Sequence, residues 1–355
     1  MAAAKKTQRR SPSRAAAEAE RFALALDTQP MEARSAEQLP EHDGPWQYEP
    51  KWDGFRCLAF KANRIVDLRA KSGKPLGRYF PEIVALLLKV AVPEFVVDGE
   101  LVIEREGAFS FDALQMRLHP ADSRIRKLAV ETPASLIVFD MLAAAAGAVL
   151  MDKPLRKRRA MLEAFVKKSG RSEQLVLSPC TTDRDQAKGW LAQAGSGTID
   201  GVMAKRLDIG YASGERAMIK VKRLRTADCV VGGFRYLSNS RQVGSLLLGL
   251  FDAEGKLDHV GFTSTISDAE RPALTQKLEK LRGRGGFTGK APGGPSRWST
   301  ERSGEWEPLR PKLVVEVRFD HVTGGRFRHG TKLMRWRPDK APRQCTMDQI
   351  APAPT

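Results

Sequence analysis

The chain has 355 residues, of which 42% are hydrophobic and 28% charged, a composition that supports cored domains and excludes disorder throughout. The 59 Lys and Arg against 42 Asp and Glu leave +17, which points to a polyanionic partner, because each phosphate neutralised releases condensed counterions. No apolar run approaches the ~18 residues of a membrane-spanning helix, and the basic N-terminus lacks the apolar stretch of a secretory signal.

In chain order, residues 1–20 read as a basic, solvated tail carrying Lys5, Lys6, Arg9, Arg10 and Arg14, with a short helix at 15–26 across its end. Strands are predicted at 48–51, 65–70, 95–104, 136–141 and 201–206, and amphipathic helices at 81–90 and 155–167, each with a proline near its start. This is an α+β pattern with mainly antiparallel sheet over 21–225. Beyond it the texture changes to strands at 229–236, 243–251 and 256–263, a helix at 268–281, a Gly/Pro loop and a strand at 313–320. About five strands and one helix suit a small Greek-key barrel of the OB type over 226–345, with a tail at 346–355. The cysteines Cys57, Cys180, Cys229 and Cys345 stand apart with no C-x-x-C pair, so they read as reduced structural thiols, and the cytoplasm is the expected location. His119 and His321 have no triad or ligand partner in the sequence and read as structural or surface groups.

Chemistry is concentrated in a few charged residues at the ends of apolar strands. In Tyr48-Glu49-Pro50-Lys51-Trp52-Asp53-Gly54-Phe55-Arg56 a lysine ends one strand, a glycine permits a tight turn and an arginine opens the next. Lys51 so placed is a candidate phosphoryl-transfer nucleophile; a charged hairpin turn is the other reading of that segment alone. Glu100, inside the branched apolar run 96–103, would cost several kcal/mol to bury without a partner, so it is expected to meet a ribose hydroxyl, a metal or a lysine. Phe139 beside Asp140 offers an aromatic face next to a carboxylate, suited to stacking on a base or to plain core packing. Lys220 and Lys222 alternate on one strand and so share a face. Two ammonium groups aimed one way repel unless an anion lies between them, and an α-phosphate is a natural candidate.

The ordered set KWDGFR, VDGEL, FD, DGVMAK and IKVK resembles the covalent nucleotidyltransferase superfamily of DNA ligases, RNA ligases and mRNA-capping enzymes. Within it the chain is most similar to bacterial ATP-dependent DNA ligases of the stand-alone ligase C type. The resemblance implies an ATP-grasp-like nucleotidyltransferase domain followed by an OB-fold domain, and an enzyme that seals nicked double-stranded DNA in repair. By resemblance, Lys51 would carry AMP from ATP, Glu49 would accept from the adenine amino group, and Phe139 would stack on the base. Arg56 and Glu100 would lie at the ribose and nick, while Lys220 and Lys222 would grip the α-phosphate. Asp200, with Glu100 or Asp140, would help hold Mg²⁺, for which Mn²⁺ could substitute. Lys71 stands where the family usually has arginine, and Asp200 where it usually has glutamate; both keep the charge. The basic C-terminal block, with Arg326, Arg328, Arg335, Arg337 and Lys340, resembles the last ligase motif and would meet pyrophosphate or DNA.

An NAD-dependent ligase is disfavoured because it would need a four-cysteine zinc module. The remaining alternatives are a capping-type guanylyltransferase, an RNA ligase, and a nucleic-acid-binding OB protein with a degenerate transferase domain. Glu49 favours adenine over guanine, because its oxygens accept and the exocyclic amine donates. A monomer in the bacterial nucleoid is expected, with a repair polymerase or end-joining proteins as candidate partners.

Overall fold

A computed structural model of the chain describes residues 22–41, 44–144, 147–170, 172–195, 198–283, 285–293 and 305–351. They divide into two compact units that part between Lys222 and Arg223, slightly before the 225/226 boundary read from the sequence. The basic tail lies outside the described residues. Of the helix expected at 15–26, residues 22–26 form bends and a turn instead. Phe22, Ala23, Leu24 and Leu26 all pack on one apolar cluster, and a helix, advancing about 100° per residue, would send them to different sides.

The N-terminal unit runs β1 (Ala33–Ala36), β2 (Trp46–Trp52), β3 (Phe55–Ala62), β4 (Ile65–Ala70), α1 (Pro81–Lys89), β5 (Glu94–Val102), the short hairpin β6 (Glu104–Arg105) and β7 (Ala108–Phe109), α2 (Phe111–Arg117) and α3 (Asp122–Glu131). It continues with β8 (Ser135–Ala143), α4 (Leu155–Lys168), β9 (Leu175–Leu177), α5 (Arg184–Gln193), β10 (Ile199–Arg206) and β11 (Met218–Val221). Two main sheets result, β1-β11-β10-β2 and β4-β3-β5-β8-β9. Pairing is antiparallel except for β1 with β11 and β8 with β9.

The second sheet is apolar on both faces, which is why its strands read as nearly continuous hydrophobic runs. Cys57, Ala59, Phe95 and Val97 pack with Ile83, Leu87, Leu114 and Leu162 of the helices. The alternate residues Leu58, Phe60 and Val96 pack with Met31, Tyr211 and Met218. The first sheet is divided differently. Trp46, Tyr48, Val202, Ala204, Ile219 and Val221 share a cluster with Ala187, Trp190 and Leu191 of α5, leaving the alternate residues of the same strands for the opposite face.

The C-terminal unit comprises β12 (Arg225–Tyr236), β13 (Val243–Phe251), β14 (Leu257–Thr263), α6 (Arg271–Glu279), β15 (Glu307–Pro308), β16 (Val314–Phe319), β17 (Val322–Thr323), β18 (Arg326–Phe327) and β19 (Lys332–Trp336). The sheet order is β14-β13-β12-β16-β19, with β15 added on β12. Thr263, at the end of β14, bridges to Thr331 just before β19, and the Thr331 amide donates to the Phe262 carbonyl at 3.0 Å. The two outer strands thus meet and the sheet curls into an OB-like barrel around Val230, Phe234, Leu248, Val315 and Val317. Bulges between Val231 and Gly233 and between Leu248 and Gly249 supply the bends that such a curl needs.

Inside this unit the buried His259 imidazole has its Nδ1 2.6 Å from Arg326. Burial first, then Arg326 and Arg235, pushes its pKa down from 6.5 to about 3. The folded state therefore binds this proton more weakly than the unfolded chain. Stability is unaffected by His259 above pH 6.5 and falls as the pH drops from there toward 3, with a limiting slope of about 1.4 kcal/mol per pH unit. Denaturant unfolding of the whole protein at pH 7, 6 and 5 is expected to show a shallower acid loss for His259→Gln than for the wild type; parallel curves would rule out this contribution.

Candidate active site

The inner face of the first sheet is polar because the strand period sorts it so. On β2, Gln47, Glu49 and Lys51 alternate with the apolar Trp46 and Tyr48, and across the ladder they oppose Lys205, Met203 and Gly201 of β10. The side chains of Glu49, Lys51, Met203 and Lys205, with Arg56, Glu100 and Phe139 from the second sheet, line a cavity of about 640 Å³, large enough for a nucleotide. Pro30, Met31, Glu32, Lys71, Arg216 and Lys220 form part of its wall. The site is therefore a gap between two sheets within one unit.

Lys51 projects into this gap with its Nζ 2.7 Å from Oδ2 of Asp200, and Lys222 Nζ reaches the same oxygen at 3.0 Å. Burial alone would raise the pKa of Asp200, but Lys51 and then Lys222 hold it below the ordinary carboxylate value. Two glycines permit the arrangement. At Gly54, in the turn after Lys51, a Cβ would lie 2.1 Å from the Leu101 carbonyl oxygen, so the turn needs glycine for close approach to β5. At Gly201, φ is +155° and a Cβ would lie 2.3 Å from the Val221 carbonyl oxygen. The pairing of β10 with β2 shifts register between Ile199 and Gly201, at the residue that presents Asp200.

Arg56 is fixed from below. Its guanidinium makes a bidentate pair with the fully buried Asp98, and Asp98 accepts from the Tyr211 hydroxyl at 2.6 Å. That hydroxyl accepts from the Met31 amide at 2.8 Å, while Arg56 donates to the Met31 carbonyl at 3.2 Å. One buried network thus ties the wall segment at Met31 to the arginine of the lysine loop. Arg56 and Lys205 lie over the Phe139 ring at 4.7 and 4.4 Å from its centroid. Glu100 opposes Arg56 in the ladder. Desolvation pushes its pKa up to about 7, against the pull of Arg56 and Lys51.

The cations at the other side of the gap have an internal counter-ion. Lys71 pairs with Glu32 at 3.0 Å, and Arg216 lies 3.9 Å from the same carboxylate. Burial, followed by Lys222, Lys51 and Lys71, lowers the pKa of Lys220. Glu49 is 1% exposed and held at both oxygens, by Gln47 Nε2 at 2.7 Å and Lys205 Nζ at 2.8 Å.

Asp140 is a correction to the expected metal set. Its carboxylate makes a bidentate pair with the buried Arg158 at 2.8 and 2.9 Å and also accepts from the Met141 amide, so its oxygens are spent in the core and it does not line the cavity. Among the described residues no three Asp, Glu, His or Cys side chains gather as a metal cage. The basic C-terminal block lies in the other unit. There Arg326 meets His259, Arg335 pairs with Glu316 at 2.6 Å, and Arg337 and Lys340 both reach Asp228, at 2.8 and 3.2 Å. The Arg328 amide donates to the His321 carbonyl. His119 accepts from the Ala121 amide at 3.0 Å, a local turn contact.

Sequence reasoning gave no role to Gln47, Lys205, Asp98 or Tyr211. The signal for Gln47 was its period-2 spacing with Glu49 and Lys51; for Lys205 and Asp98 it was membership of the segments DGVMAK and VDGEL. Tyr211 carried no local signal.

Comparison with known proteins agrees with this geometry. The family described as ATP dependent DNA ligase domain matches residues 29–222, and the ATP dependent DNA ligase C terminal region matches 239–340. DNA ligase C2 of Mycolicibacterium smegmatis is 41% identical over 92% of this chain and 94% of its own, and DNA ligase C of Mycobacterium tuberculosis is 40% identical over 90% and 93%. Among solved structures, the ligase domain of M. tuberculosis LigD superposes with a TM-score of 0.50 at 28% identity, covering 90% of this chain and 98% of that one. A two-sheet pocket presenting Lys51 between carboxylate and cations, and this continuous likeness across both units, place the chain in the family of ATP-dependent DNA ligases.

Proposed function

We propose that the chain seals nicks in duplex DNA through three in-line phosphoryl transfers centred on Lys51. The observation that carries this reading is the Lys51–Asp200–Lys222 triad at the cavity's edge. An ammonium held in an ion pair has no lone pair to give, so the pair opens and a proton leaves before attack. Lys51 Nζ then bonds to the α-phosphorus of ATP as the bond to pyrophosphate breaks. The phosphorus–nitrogen bond breaks in turn as AMP passes to an oxygen of the 5′-phosphate, and the 3′-hydroxyl finally attacks that phosphate and expels AMP.

Each lining residue has a part. Phe139 stacks on adenine, Glu49 accepts from its amino group, and Arg56, fixed by Asp98, meets the ribose and nick. Lys220 and Lys222 lie against the α-phosphate, and Lys71 against neighbouring phosphate charge. Asp200 and Glu100 fit Mg²⁺ in chemistry, as hard oxygen donors of the one-or-two-carboxylate kind that leaves room for substrate phosphates and water. When bound, such an ion offsets charge developing on the phosphoryl oxygens. Arg326, Arg328, Arg335, Arg337 and Lys340 are assigned to pyrophosphate or DNA. The substrate is nicked double-stranded DNA, the protein acts as a monomer in bacterial DNA repair, and repair polymerases or end-joining proteins are its candidate partners. No helix among the described residues is long and apolar enough to cross a membrane.

Lys51→Ala is expected to abolish the covalent adenylate formed with α-labelled ATP while leaving the melting curve close to wild type; labelled protein on a denaturing gel would sink the assignment. For Asp200→Asn, adenylation is expected to need at least several-fold more Mg²⁺ for half its maximal rate, and an unchanged Mg²⁺ midpoint would remove Asp200 from the metal site. Glu100 supplies a pH signature. Burial pushes its pKa up to about 7 in the absence of a cation, so at limiting Mg²⁺ the carboxylate form that would take the ion grows as the pH rises through neutrality and adenylation rises there. Glu100→Gln, slower overall, is expected to lose that step in a pH–rate profile between 6 and 8; retention of the step would assign it to another group.

A further inference from the structure

The base-facing carboxylate is not free to turn, and the residues that hold it occupy the same face of the first sheet. Gln47 and Glu49 are two positions apart on β2, so both lie on the same face of the sheet, and Lys205 stands directly opposite Gln47 on β10. Gln47 and Lys205 are each only 3% exposed. Gln47 Nε2 donates to one oxygen of Glu49 at 2.7 Å, and Lys205 Nζ donates to the other at 2.8 Å. Lys205 Nζ also lies 4.4 Å from the centre of the Phe139 ring and 3.5 Å from its carbonyl oxygen. A buried ammonium thus connects the two groups assigned to the base, its stacking surface and its hydrogen-bond acceptor.

A carboxylate oxygen has two lone-pair directions. With one direction on each oxygen occupied, the remaining directions are set in space. Lys205 is the buried counter-ion of the carboxylate; Gln47 fixes its rotation. We propose that Gln47 and Lys205 are positioning residues that aim Glu49 at the purine 6-substituent, so that the choice of an amino-bearing purine resides in a three-residue clamp rather than in Glu49 alone. The proposal rests on the reading that Glu49 meets the adenine amino group.

The test uses the whole protein and compares kcat/KM for lysyl adenylation with ATP against purine riboside 5′-triphosphate, which lacks the 6-amino group and is otherwise the same nucleotide. Wild type is expected to favour ATP. Gln47→Leu removes the donor and leaves the Lys205 pair in place, so its rate constant with ATP is expected to fall roughly tenfold, the scale of one charge-assisted hydrogen bond, while that with the analogue stays within about twofold. Gln47→Met, also without a donor, serves in the same comparison should Gln47→Leu fail to fold. Equal losses with both nucleotides would mean that Gln47 merely supports the strand, and would overturn the proposal. A wild type that does not distinguish the two nucleotides would instead overturn the base reading of Glu49, and the clamp with it.

Discussion

A single carboxylate oxygen governs the geometry of the nucleotide site. Oδ2 of Asp200 is shared by Lys51 and Lys222, two cations brought together from different strands and otherwise repelling one another. Without an anion between them the end of β2 and the residue after β11 could not carry lysines at such close quarters. The sharing also makes the site responsive. On the proposed function, a phosphoryl group arriving there would offer both lysines an alternative partner. Next to Asp200, Gly201 lets β10 press against the backbone of Val221 and Lys222.

The second organising constraint is the unequal treatment of the two faces of one sheet. Residues on β2, β10 and β11 alternate between an apolar packing surface under α5 and a charged surface lining the cavity. Polar groups there are matched with one another: on that inner surface Glu49 with Gln47 and Lys205, and on the second sheet across the gap Arg56 with Asp98. Breaking one member of such a buried pair costs on the order of 3–5 kcal/mol, because the survivor is left charged and unpaired. The site thus shares its stability with the fold around it.

Much of this was legible in the sequence, and for a physical reason. Lysine and carboxylates at the ends of apolar strands are costly unless used, so Lys51 and Glu100 stood out, and the change from helix-bearing to strand-and-turn texture marked the OB-like barrel. What failed was non-local. Asp140 looked like a site carboxylate because the strand period could not disclose Arg158, which reaches it from a helix after the strand. The expected helix at 15–26 had apolar residues in quantity but not on one helical face. Tyr211 gained its place by touching Asp98 and Met31, both remote in sequence, a meeting that no local pattern encodes.

The parallel pairing of β1 with β11 has a bearing on how the protein comes into being. Ala33 to Ala36 lie beside Met218 to Val221, so the nucleotidyltransferase unit is laced shut by its own two ends. Emerging from a ribosome, the chain can build most of the second sheet early from hairpins and near neighbours. The first sheet must wait for its last strand. Until then β10 lacks one neighbour, Lys220 and Lys222 have no scaffold, and Asp200 has only Lys51 of its two cations. The charged face of the first sheet is therefore among the last parts of this unit to be completed during synthesis, with the strand that joins the beginning of the unit to its end.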